Sequence, residues 1–227
     1  MIPRSDADLD PHLPSVANYW VPRVEEVSEE GFGGFRDTWL LFDVQVEEAV
    51  ELLAEDRRLT QLADAFASDS YDYEAIANAI EYQDIEGLPE GVRENIRFPE
   101  LEDTVGGDYS PLQGLELGVA GLVFALSAAG FLPAASCRSH VGEHSWSPCP
   151  VVVFATDEEH AARLAPLVTD ARCGFQLDEG RPGLLAVCGP SAKEMHNLAG
   201  LVLDRVSTFG GQLFTPTREQ LDELGLA

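Results

Sequence analysis

The sequence predicts an α+β protein: a helical N-terminal half, then a compact mixed or antiparallel sheet domain ordered helix-strand-strand-helix-strand-strand-helix, with its helices on one face. Three observations predict it. Apolar residues recur at helical spacing between residues 43 and 80, capping signals punctuate the second half, and four short apolar runs fall between those signals.

Residues 1–35 are rich in Pro and Gly, end in Gly31-Phe32-Gly33-Gly34-Phe35 and carry Glu25, Glu26, Glu29 and Glu30, the composition of an arm or loop. From about Asp43, Val46, Ala49, Val50 and Leu53 and then Leu59, Leu62, Ala63 and Phe66 keep helical spacing, which predicts one long or bent helix. Glu47, Glu48, Glu51 and Glu55 are expected on its solvated face. Tyr73, Ile76, Ala77 and Ile80 mark a second, shorter helix, and the turn-rich stretch 87–107 reads as a connector.

Three capping boxes, Ser110/Gln113, Thr156/Glu159 and Ser191/Glu194, each place a hydroxyl three residues before a Glu or Gln and mark helix starts in the second half. The first also has Pro111 at the opening position and Gly130 as a stop, so a helix over 111–129 is expected. The second helix should bury Ala161, Leu164, Ala165 and Val168, and the third Met195, Leu198, Ala199, Val202 and Val206. Strands are expected at 131–137, 150–155, 174–177 and 184–188, with a hairpin turn at 178–183. Three regions follow: an acidic, mainly helical 1–109 with its loop-like arm, an α+β domain over 110–210, and a tail over 211–227 with a short helix carrying Leu221 and Leu224.

Apolar residues make up 45% of the chain, which suits a globular protein. No apolar segment follows a basic start, so a cytoplasmic location is the expectation. The most apolar stretch, 117–135, is broken by Gly118, Gly121, Gly130 and Pro133 and reads as a buried core helix, with no membrane role. The net charge of −26 disfavours direct binding of nucleic acid or anionic lipid, both of which require many cations against phosphates. Residues 1–109 hold 27 of the 40 acidic side chains and 7 of the 14 basic ones. Solubility or adaptation to salt is an ordinary source of acidity, but it should spread evenly. The uneven distribution leads to the expectation of an acidic intracellular interaction or accessory protein that binds a basic partner protein, with the α+β domain as its platform.

Reactive side chains gather elsewhere. All four cysteines and four of the five histidines fall after residue 136. Cysteines in a chain without an export signal point to thiols or metal ligands more than to disulfides. The densest cluster, Cys137-x2-His140-x3-His144-x4-Cys149, supplies four zinc-type ligands within thirteen residues, so a structural zinc on Cys137, His140, His144 and Cys149 is one expectation. The plain reading of the same residues is two small buried cysteines and two solvated loop histidines.

The alternative function is a metal- or cysteine-dependent enzyme with its site in loop 137–149. Cys137 would be the nucleophile, His140 or His144 the base, Glu143 the orienting group, and Arg138 an aid to the thiolate or an anion ligand. His160 and His196 read as exposed helix residues, Cys173 and Cys188 as core, and Trp146 as packing the loop down. Gly106-Gly107 and the glycines at 31–34 lack the strand-to-helix setting of a phosphate loop.

Overall fold

The structure is a computed structural model and describes residues 2–26, 41, 43–96, 111–141, 145–177, 183–217 and 220. The helices are α1 (Val46–Phe66), α2 (Ser70–Glu81), α3 (Glu90–Arg93), α4 (Ala120–Ala128), α5 (Glu158–Asp170) and α6 (Ala192–Asp204). The strands are β1 (Leu132–Cys137), β2 (Val151–Ala155), β3 (Gly174–Leu177) and β4 (Leu185–Cys188). They form one antiparallel sheet in the order β1-β2-β4-β3. This is the α+β class with its helix-strand-strand-helix-strand-strand-helix order, and the sheet is wholly antiparallel.

Alternation along β2 explains how the sheet is buried on both faces. Val152 and Phe154 point to the helices, with Leu185, Val187 and Phe175 from the neighbouring strands. Val151, Val153 and Ala155 point the other way, with Leu132, Ala186 and Cys188. That outer face is covered by the N-terminal arm, whose Leu9, Trp20 and Val21 pack against it together with Phe214. The arm also hydrogen-bonds as a partial strand: Thr156 N–H donates to the Trp20 carbonyl, Phe175 N–H to that of Asp10, and Ser5 N–H to that of Pro190.

α4 is apolar on every side, and Ala120 to Ser127 are all buried. A helix of that kind belongs at the centre of a protein, and α1 and α6 pack on it. One continuous apolar core joins α1 and α2 to α4, α5, α6 and the inner sheet face. Among the described residues no helix is long and apolar enough to cross a membrane.

Several expectations are corrected. The helix expected over 111–129 begins only at Ala120, because 111–114 form a turn in which Gln113 (φ 54) and Gly114 (φ 77) are left-handed, as is Gly118 (φ 84). Asp157, not Thr156, caps α5, accepting from His160 N–H at 2.8 Å. The third cap stands as expected: Ser191 accepts from Lys193 N–H, and its hydroxyl donates to Glu194. The connector contains α3, while 97–107 lie outside the described residues, as do Ser110, 178–182 and most of the expected tail helix.

Both helical histidines expected at the surface are buried. His160 sits edge-on to Phe131 and stacks near Phe209, its ring nitrogens at Asp157 and the Gly211 carbonyl, and His196 lies beside Asp56. Trp146 is 55% exposed and does not pack the loop down. Cys173 and Cys188 are buried as expected.

Candidate metal centre

β1 ends at Cys137, and the chain then turns sharply through Ser139, whose left-handed backbone (φ 69) brings the following residue back over the strand end. Ser139 N–H donates to Cys137 Sγ at 3.4 Å, and His140 N–H donates to Ser145 Oγ at 3.1 Å. Loop 145–149 is tied down by its own hydroxyls, with Ser145 donating to the Ser147 carbonyl and Ser147 to that of Cys149. These bonds fix Arg138 and His140 against a wall of carboxylates drawn from distant parts of the chain.

Arg138 is the hub and is almost fully buried. Its Nε donates to Glu81 Oε1 at 2.7 Å, its Nη1 and Nη2 to the two oxygens of Glu74 at 2.5 and 3.2 Å, and Nη2 also to Asn78 Oδ1 at 2.6 Å. Glu74, Asn78 and Glu81 stand four and three residues apart on α2, so they share one helix face. Glu81 Oε1 also accepts from Leu117 N–H, and Glu116 Oε2 from Arg138 N–H. Burial, partly offset by Arg138, pushes the Glu81 carboxyl up to about 7. For Glu74, burial acts upward but the hydrogen bonds from Arg138 and His140 prevail, holding it below the ordinary carboxylate value.

His140 lies between two of these carboxylates. Nδ1–H donates to Glu74 Oε1 at 2.8 Å, and Nε2 is 3.1 Å from Glu116 Oε1. Burial works to lower its pKa, yet the Glu74 hydrogen bond and the charge of Glu116 raise it above the usual histidine value. Donor atoms of Glu116, Cys137 and His140 all lie within 4.8 Å of one another. A carboxylate, a thiol and an imidazole on one spot are a donor set that could hold a metal ion. Glu74 supplies what such a histidine ligand ordinarily has behind it, a carboxylate on the other ring nitrogen that fixes tautomer and ring orientation.

Of the ligands expected from the sequence, Cys137 and His140 therefore come together, with Glu116 as a third donor that sequence reading missed. His144 and Glu143 lie outside the described residues. Cys149 is buried on the outer sheet face, where the Cys188 thiol hydrogen-bonds to its sulfur and lowers its pKa. Burial raises the Cys137 thiol above its ordinary value, the direction opposite to an activated nucleophile. Arg138, expected to help a thiolate or bind an anion, is instead saturated by α2.

No family model, no curated protein and no solved structure matches this chain.

Proposed function

We propose that this protein is a metal-binding protein that takes one divalent transition-metal ion, zinc first among them, on Glu116, Cys137 and His140. The observation that carries the reading is the convergence of these three donors within 4.8 Å, with the far nitrogen of His140 already held by Glu74. Magnesium and calcium prefer all-oxygen shells, so the sulfur and nitrogen donors favour zinc and its neighbours. Three protein ligands leave one tetrahedral position. Filled by water it makes a Lewis-acid site of catalytic type; filled by a fourth side chain it makes a structural one. His144, within reach in sequence, is the residue to test.

Purified protein should carry one zinc per chain, and cobalt substitution should give a thiolate-to-metal absorption band. Cys137→Ser and His140→Ala should abolish the band, and Glu74→Gln should weaken metal affinity about 10- to 100-fold through its hold on the imidazole. His144→Ala separates the two forms of the site, since an affinity loss equal to that of His140→Ala assigns a closed four-ligand centre and no loss an open one. Folded wild-type protein that binds neither ion rejects the reading.

A second reading is favoured by the surface of α1 and α2: docking of a basic protein partner. Glu47, Glu48 and Glu51 are exposed on α1, and the strongly exposed Tyr71 and Tyr82 stand beside exposed Asp72 and Asp84. Aromatic side chains among acids suit a partner rich in Arg, by stacking as well as charge. Capture of such a partner should weaken with salt and with Tyr71→Ala plus Tyr82→Ala; capture indifferent to both would remove this reading.

A further inference from the structure

A cavity of about 290 Å³ lies between α1 and α6, apart from the Glu116 centre. Arg57, Thr60 and Gln61 line it from α1, Lys193, His196 and Asn197 from the first turns of α6, and Ile2 of the arm closes one side. Lys193 is the only lysine in a chain with 40 acidic side chains, yet among the described residues no carboxylate lines this cavity.

Arg57 is held in place without being neutralised, and Lys193 stands exposed beside it at the cavity. Arg57 Nη2 donates to the His196 carbonyl at 2.7 Å and passes over Gly200, where a Cβ would come within 3.0 Å of it. Among the described residues neither Arg57 nor Lys193 forms an ion pair. The carboxylates next to them in sequence, Asp56 and Glu194, are committed elsewhere. Asp56 accepts from Gly118 and Gly121 N–H, and Glu194 takes Ser191 Oγ and Arg4. His196 is 6% exposed, and its Nε2, though 3.0 Å from Asp56 Oδ2, makes no hydrogen bond among the described residues.

We propose that this cavity binds a small phosphorylated metabolite, with its phosphate between Arg57 and Lys193. Two separate cations match a dianion better than a monoanion, and the guanidinium fork matches adjacent phosphate oxygens. Gln61 and Asn197 leave amide groups for a polar body, whereas the Thr60 hydroxyl is buried against Asp56, and among the described residues no aromatic side chain lines the cavity to stack a base. The volume sits at the small end for ligand sites. In a chain this acidic, two cations on one concavity, with no ion pair among the described residues, mark a place where a bound anion relieves their repulsion.

Calorimetric titration of the full chain with inorganic phosphate, glycerol phosphate and acetate tests the assignment. Glycerol phosphate is expected to bind saturably at one site, more tightly than inorganic phosphate, with acetate much weaker. Lys193→Gln and Arg57→Gln should each weaken binding about tenfold or more, as expected when one charge-assisted contact is lost. Lys193 is exposed, so its variant should fold even if the Arg57 variant does not. No saturable phosphate binding, binding unchanged by Lys193→Gln, or acetate binding as tightly as phosphate would each overturn the proposal.

Discussion

Arg138→Met is expected to lower the free energy of unfolding by about 3–5 kcal/mol, the cost of removing one member of a buried charge network. Met keeps the length of the side chain and none of its donors. Glu74, Glu81 and Asn78 would lose all the bonds they receive from the guanidinium, while Glu81 and much of Glu74 stay out of water. Urea unfolding should show the midpoint drop; a wild-type midpoint would falsify the view that Arg138 clamps α2 to β1. Glu81 gives the same network a pH signature. Its carboxyl, ordinarily near 4.5, is pushed up to about 7 in the fold, so between those values the native state holds a proton that the unfolded chain has lost. Stability should therefore fall as pH rises through that window, by on the order of 3 kcal/mol at 1.36 kcal/mol per unit. Glu74, held low, acts oppositely and only below about its ordinary 4.5, so the two windows separate. Glu81→Gln keeps an acceptor for Arg138 and Leu117 without the charge and should flatten the upper window.

Short-range pattern made most of the architecture legible in the sequence. The four strands lie within a residue or so of the β-branched and apolar runs that predicted them, because alternation and strand length are local properties. Ser191 was readable as a cap for the same reason. What failed is non-local. The apolar stripe of α1 was expected to contain Val50 and Phe66, yet both are substantially exposed, while Asp56 and Thr60 lie in its buried face. A carboxylate belongs on a buried face only when backbone donors from another element meet it, and those donors come from residues 62 and 65 positions away. The metal centre divides in the same way. Cys137 and His140 were visible through spacing, whereas Glu116 and Glu74 approach His140 across 24 and 66 residues. A partial signal existed: Glu74, Asn78 and Glu81 form a polar stripe at helical spacing beside the apolar one, but nothing local distinguishes it from a solvated face.

Asp56→Ala should be nearly as damaging as loss of Arg138, by about 3 kcal/mol or more, because the carboxylate does for α4 what its own sequence does not. Val119 stands at the cap position of α4 with no side-chain acceptor; Ala120 N–H reaches the Glu116 carbonyl and Leu122 and Val123 that of Val119, so Gly121 N–H, and Gly118 N–H just before the helix, need an acceptor from outside. Asp56, fully buried on α1, accepts from Gly118 N–H at 2.6 Å and Gly121 N–H at 2.9 Å, and its charge faces the positive end of the helix. The two glycines make that approach possible. A Cβ on Gly121 would lie 2.6 Å from Leu53 Cδ1, and Gly118 is left-handed with Ala192 where its side chain would go. Truncation to alanine leaves two dry N–H groups and a cavity, each hydrogen bond to a charged acceptor being worth about 1.5–3 kcal/mol. Asp56→Asn retains one acceptor oxygen but turns an N–H₂ toward a second donor or toward His196, so it should recover only part of the loss. Thermal unfolding of wild type, Asp56→Asn and Asp56→Ala should fall in that order, and equal melting temperatures for the three would show that α4 needs no outside cap.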